Sequence, residues 1–155
     1  MLSLFNLNPK ILVIGVGNPF RHDDGIGPAI IKILQAENNQ DFVLVDGGTD
    51  GLTLLDQLTG YEKAIIIDAV QMMANPGIVK AFTLAEAKIN IKSDVLSTHG
   101  FGLAEMFKLV DELNIKTKIR IIGIQPKDIS FGEGLSDKIK NQIPEILKLI
   151  KQKNT

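Results

Sequence analysis

ILVIGVGNPFRHDDGIGP, residues 11–28, opens as an unbroken apolar run and ends as a glycine-punctuated turn carrying two adjacent acids. Ile11 to Val16 reads as a buried strand, and Gly25 to Glu37 follows with Ile26, Ala29, Ile30, Ile33 and Leu34 at helical spacing. A strand, a tight turn and a helix in that order begin an α/β fold. The turn is not the dinucleotide fingerprint G-x-G-x-x-G, whose third glycine would fall on Phe20. Asp23 and Asp24 would also repel a pyrophosphate at the helix start. The loop is therefore oriented toward a cation.

The remaining composition fits this opening. Apolar residues make up 45% of the 155-residue chain, there is no Trp, and Ile, Leu and Val dominate, as in parallel strands covered by helices on both faces. One domain over residues 1–155 is expected. A net charge of -1 leaves no electrostatic footprint for nucleic acid, and the lysines from Lys138 to Lys153 read as a solvated helix face. With no cysteine, thiolate chemistry, disulfides and Cys-based metal sites are excluded. The N-terminal MLSLFNLNPK lacks the pattern of a secretory signal, and no segment is long and apolar enough to cross a membrane, so a cytoplasmic location is expected.

Further along, Phe42 to Val45 reads as a strand ending in Asp46, followed by the Gly47-Gly48-Thr49-Asp50-Gly51 turn and a short helix from Leu52 to Leu58. Lys63 to Ala69 is a third strand containing Asp68. Asn75-Pro76-Gly77 is a turn, because Pro presets φ and Gly accepts positive φ, and it predicts an antiparallel return over Ile78 to Phe82. Ala85 to Thr98 reads as a long polar loop leading to His99. Gly100 to Leu113 reads as a helix, Lys118 to Ile124 as a strand, and Gln125 to Gly134 as a loop. A last helix carries Leu135 to Ile150 on its apolar positions, capped by Ser136 and kinked at Pro144. The predicted architecture is a three-layer α/β/α sandwich around a mixed, mostly parallel five-stranded sheet with one antiparallel strand.

Ligands bind at the carboxyl ends of the strands in such sheets. The turn acids Asp23 and Asp24, then Asp46, Asp68 and His99, all belong to that edge. Gathered carboxylates repel unless a proton or cation intervenes, and Arg21 could neutralise only one of them. Structural readings compete: Asp24 could cap the following helix, Asp46 could form an Asx turn, His99 could hydrogen-bond at a helix start, and His22 fits a surface turn. Serine hydrolysis has little support, since no G-x-S-x-G occurs. Asp24, Asp68 and His99 make a better set, because two oxygen donors and an imidazole leave open positions on a divalent ion.

The segments GVGNPFRHDDGIGP, DGGT from Asp46 to Thr49, IIDA from Ile66 to Ala69, the NPG turn, THGFGLAE around His99 and GIQP from Gly123 to Pro126 resemble the [NiFe]-hydrogenase maturation endopeptidases. That resemblance extends over nearly the whole chain. It implies an aspartic or metallo-type endopeptidase that removes the C-terminal extension of a hydrogenase large subunit precursor after nickel insertion. Asp24, Asp68 and His99 would be its catalytic and metal-site residues. Nickel would arrive with the substrate, other divalent metals could occupy the site in vitro, and Asp46, Gly47, Gly48 and Thr49 would form a substrate-contact loop. The family carries Glu or Asp at the first position; here it is the shorter acid, with Asp23 and Asn18 shaping the turn and holding it. Two alternatives stand beside this reading: a peptidyl-tRNA hydrolase-like esterase, which shares G-x-G-N-P after its first strand, and a noncatalytic nickel-checking chaperone.

Overall fold

The computed structural model describes residues 10–49, 51–90 and 103–152. In chain order they form β1 (Ile11–Val16), a 3-10 turn (His22–Gly25), α1 (Ile26–Glu37), β2 (Phe42–Gly48), α2 (Gly51–Leu58), β3 (Lys63–Ala69), β4 (Val79–Thr83), α3 (Leu84–Asn90), α4 (Leu103–Glu112), β5 (Lys118–Ile124), α5 (Asp137–Lys140) and α6 (Ile143–Lys151). The strands lie in one sheet in the order β2-β1-β3-β5-β4. All neighbours are parallel except β4, which runs antiparallel to β5. The expected mixed five-stranded sheet is present.

Alternation along the central strands divides the core in two. Leu12, Ile14, Ala64, Ile66, Ile119 and Ile121 face α2, α3 and α4, where Leu58, Met106 and Phe107 meet them. Val13, Ile65, Ile67, Ile122 and Ile124 face the other way, against Ile30 and Leu34 of α1 and Ile146 and Ile150 of α6. Because both faces are covered, the central strands read as continuous apolar runs, and each fully buried Ile or Leu contributes roughly 1.5–3 kcal/mol. Helix α1 approaches β1 backbone to backbone: a Cβ on Gly15 would collide with the Gly27 carbonyl and lie 2.7 Å from Ile31 Cγ1.

Several local expectations are corrected. β2 extends to Gly48, so Asp46 lies inside the strand rather than at its end. Part of the expected long loop is helical, since α3 spans Leu84–Asn90; the remainder of that loop and His99 lie outside the described residues. Its start carries a T-x-x-E pattern in which the Thr83 hydroxyl accepts the Glu86 N–H at 3.3 Å and donates to Glu86 Oε1 at 3.1 Å. The last helix is broken, not kinked. Pro144 stands in the first turn of α6, where a missing N–H costs nothing, and α5 ends before it. The Asn75-Pro76-Gly77 turn forms as expected, with the Ile78 N–H donating to the Asn75 carbonyl at 3.1 Å and Gly77 at φ 93°. It returns the chain as β4.

Gly15→Ala is expected to lower stability by about 1–3 kcal/mol or more through overpacking against Gly27. Gly60→Ala, with no atom nearer than 3.9 Å to the new Cβ, should leave stability unchanged or raise it by less than about 1 kcal/mol. Urea denaturation of the two variants beside the wild type measures both.

Candidate functional site

The strand order reverses its direction of growth between β1 and β3: β2 lies on one side of β1, and β3, β5 and β4 follow on the other. Ligands in open α/β sheets sit in the crevice outside the carboxyl ends of the strands at such a point. β1 leads into the turn with Asp23 and Asp24, and β3 ends with Asp68 and Ala69, so the switch point is flanked by acids. Asp23, Asp24 and Asp68 are each 0% exposed. Buried carboxylates require donors or a cation.

Asp24 is held inside its turn and does not cap α1, whose N-cap position is Gly25 with no side-chain capping bond. The Asn18 N–H donates to Asp24 Oδ2 at 2.9 Å, while Asn18 Oδ1 accepts the Phe20 N–H at 2.9 Å. Gly17, at φ 140°, lies directly against this acid: a Cβ there would collide with the Asp24 carbonyl and come within 3.7 Å of its Cγ. Only glycine combines that backbone angle with that approach. The GVGN turn is thus a mount for a carboxylate.

Asp68 shares its strand face with Ala64, Ile66 and Val70, the face covered by α2 and α4. In register it stands beside Gly123 of β5, where an added Cβ would press on Val70 and the Phe82 ring at 3.3 Å. Helix α4, on the same face, starts four residues after His99 in the sequence. Asp46 does not join these acids. Alternation along β2 sends Val43 and Val45 to the α2 and α4 side and Asp46, with Phe42 and Leu44, to the other; Asp46 is exposed, and its Oδ1 accepts the Gly48 N–H at 3.1 Å in an Asx turn. The turn it shapes still borders the site, because the Gly17 N–H donates to the Gly48 carbonyl at 2.9 Å, and Thr49 beyond it is exposed. Among the described residues no group of three His, Asp or Glu side chains is placed to hold a metal ion.

Asp23 has a larger role than turn shaping. Its Oδ2 accepts the Lys127 N–H at 2.9 Å, the Asp128 N–H at 3.0 Å and the Ser136 hydroxyl at 2.9 Å, and its Oδ1 accepts the Ser136 N–H at 2.7 Å. Ser136 stands at the N-cap position of α5, yet its hydroxyl turns to Asp23 rather than capping the helix. Four backbone and side-chain bonds extend the seam: Asp23 N–H to Asp128 carbonyl and His22 N–H to Gly132 carbonyl, each 2.9 Å, Gly132 N–H to Phe20 carbonyl at 2.9 Å, and Arg21 Nε to Ile129 carbonyl at 3.1 Å. His22, expected at the surface, is half-buried with Nδ1 3.0 Å from the Gly134 carbonyl oxygen. Nothing local signals this clamp, because its partners lie 104 to 113 positions later. Gln125, from the GIQP segment, fixes the third loop: its Oε1 accepts the Met72 N–H at 2.7 Å, and its Nε2 donates to Gln71 Oε1 at 2.8 Å.

Within the clamped loop, the Ser130 hydroxyl and amide donate to Asp128 Oδ1 at 2.6 and 2.9 Å. These bonds, aided by His22 and Lys127, hold the Asp128 carboxyl below its ordinary value of 3.8 against a small opposing effect of burial. A carboxyl depressed in the folded state contributes stability above its unfolded value, and the contribution is lost as pH falls through the folded one. In Ser130→Ala the Asp128 titration midpoint, followed by carbon NMR, is expected to move up; an unmoved midpoint would contradict the assignment. Asp23→Ala strands three backbone donors, at about 1–3 kcal/mol each before relaxation. A loss of about 3–5 kcal/mol is expected by urea denaturation, with hydrogen exchange accelerated first at Lys127, Asp128 and Ser136.

Residues 28–153 match the family model described as hydrogenase maturation protease. The chain is 31% identical over 151 residues to the delta subunit of coenzyme F420 hydrogenase from Methanothermobacter thermautotrophicus, covering 91% of this chain and 92% of that protein. Among solved structures, the hydrogenase maturating endopeptidase HybD from E. coli superposes with a TM-score of 0.79 at 26% identity, over 91% of this chain and 89% of that one. HybD from Thermococcus kodakarensis, described as a [NiFe] hydrogenase maturation protease, gives 0.76 at 29% identity, over 92% and 97%. The five-stranded fold is shared with these proteins, and the chain belongs to the hydrogenase maturation protease family.

Proposed function

We propose that the protein is a peptide-bond hydrolase that removes a C-terminal extension from a [NiFe]-hydrogenase large subunit precursor once nickel has been inserted. The observation that carries this reading is the pair of fully buried aspartates, Asp24 in the turn after β1 and Asp68 near the end of β3, at the switch point of a hydrogenase maturation protease fold. On this reading they meet the substrate's nickel together with His99, and Asp46, Gly47, Gly48 and Thr49 contact the precursor beside them. Two carboxylates and an imidazole bind an ion weakly by themselves, yet complete the coordination of one already held by substrate thiolates. Cleavage then depends on nickel and peptide arriving together.

A divalent ion held by Asp24, Asp68 and His99 would supply Lewis acidity to a scissile carbonyl or to a water. The chain's own part is positional. The Asn18 amide holds Asp24 by one oxygen, and β3 fixes Asp68 in the sheet. Both acids are fully buried, an environment in which a carboxylate group needs donors or a cation. No helix among the described residues is long and apolar enough to cross a membrane, and we place the reaction in the cytoplasm, beside the assembling precursor.

Mass spectrometry of a nickel-loaded precursor should show a shortened large subunit, with the nickel-free form intact. Cleavage indifferent to nickel overturns the sensing role, and intact precursor in both cases overturns the peptidase reading. Asp24→Ala, Asp68→Ala and His99→Ala should each slow cleavage by at least about a hundredfold, since a metal-held transition state is worth several kcal/mol. A His99→Ala variant that cuts at the wild-type rate would remove that residue from the site.

A further inference from the structure

Both sheet faces are covered by helices, so the large apolar side chains left in solvent are few. Among the described residues they are Phe20, Met73, Ile78, Leu113 and Phe131, exposed by 60, 93, 41, 62 and 87%. All but Leu113 belong to loops or strand ends at the carboxyl edge that carries Asp24 and Asp68. Leu113 lies at the opposite edge, just before β5. Scattered exposure of single apolar residues needs no explanation, but concentration around one site does.

Phe20 and Phe131 form the centre of this group. The Gly132 N–H donates to the Phe20 carbonyl at 2.9 Å, which brings the two residues onto one paired backbone. The Arg21 guanidinium lies 5.9 Å from the Phe131 ring centroid, while Nε of the same residue is tied to the Ile129 carbonyl. Neither ring packs into either core cluster. The fold therefore spends the Asp23 clamp on a rigid platform whose aromatic side chains face water, and rigid aromatics lose little entropy on binding.

We propose that Phe20 and Phe131, with Met73 at the same edge, are the docking rim for the folded body of the hydrogenase large subunit precursor, and that they engage an apolar patch on it. This rests on the proposed peptidase function and adds the surface by which the protein substrate is recognised. Asn18 bonds both the buried Asp24 carboxylate and the Phe20 N–H, each at 2.9 Å, so exposed Phe20 shares one turn with that acid, and a partner that reaches Asp24 with its scissile segment lays its adjoining surface on the rings. Large exposed aromatics with polar surroundings are the residues that dominate binding energy in protein interfaces.

Surface plasmon resonance with intact, nickel-loaded precursor tests the rim in the full-length protein. The double variant Phe20→Ala/Phe131→Ala should bind about tenfold more weakly or worse, and Phe20→Leu/Phe131→Leu should retain most of the affinity. Leu113→Ala, at the far edge, should bind as the wild type does. In the cleavage assay the double Ala variant should raise KM and keep kcat within about twofold, with an unchanged melting temperature. Wild-type affinity in the double variant, an equal loss in Leu113→Ala, or a fall in kcat at constant KM overturns the rim. Binding is read on uncut precursor, so a wild type that binds through the rim but cuts nothing overturns the peptidase reading alone.

Discussion

One buried carboxylate organises the business edge of this molecule. Asp23 accepts hydrogen bonds from Lys127, Asp128 and Ser136, and thereby fastens the loop after β5 to the turn after β1. A carboxylate with no solvent contact is costly unless its lone pairs are filled, and here four donors fill them. The same bonds satisfy amides of an irregular loop that no helix or strand would otherwise serve. Remove this group and the loop from Lys127 to Ser136 loses its anchor, and with it the paired backbone that carries Phe20 and Phe131.

The neighbouring acid has a different environment. Asp24 sits one residue further along the same 3-10 turn, with its carboxylate addressed by the Asn18 amide and pressed against Gly17. Adjacent aspartates in one turn thus divide the work: Asp23 is spent on structure, and Asp24 is presented at the switch point opposite Asp68. Two fully buried carboxylates at one sheet edge are oxygen donors that a positively charged ion would take. On the proposed reading the ion comes with the precursor, which makes the empty enzyme poorly suited to cutting anything else.

How much of this was legible depends on the range of the forces involved. β1, β3 and β5 read correctly to the residue, because a strand buried on both faces is a plain apolar run bounded by polar residues. The antiparallel return after Asn75-Pro76-Gly77 was equally visible, since the turn chemistry is local. Asp24 and Asp68 could be placed at one edge from strand direction alone. Helix α3 was missed although its T-x-x-E start was present, because Leu84 to Asn90 carries little apolar periodicity. Pro144 was read as a kink when the same chemistry also permits a helix start. The Asp23 clamp was beyond reach: the amides that receive it belong to a loop more than a hundred residues away, and amides leave no mark in a sequence. Asp46 lost its place among the acids through a single register fact, its position on the opposite face of β2 from Val45.

The proposed function requires Asp24 and Asp68 to touch the nickel that the precursor carries. Nickel X-ray absorption, measured on loaded precursor alone and in complex with the protein, addresses that contact without relying on turnover. Additional oxygen or nitrogen donors in the complex, reduced in Asp24→Ala and Asp68→Ala, are the predicted result. A nickel shell that is identical free and bound would contradict it.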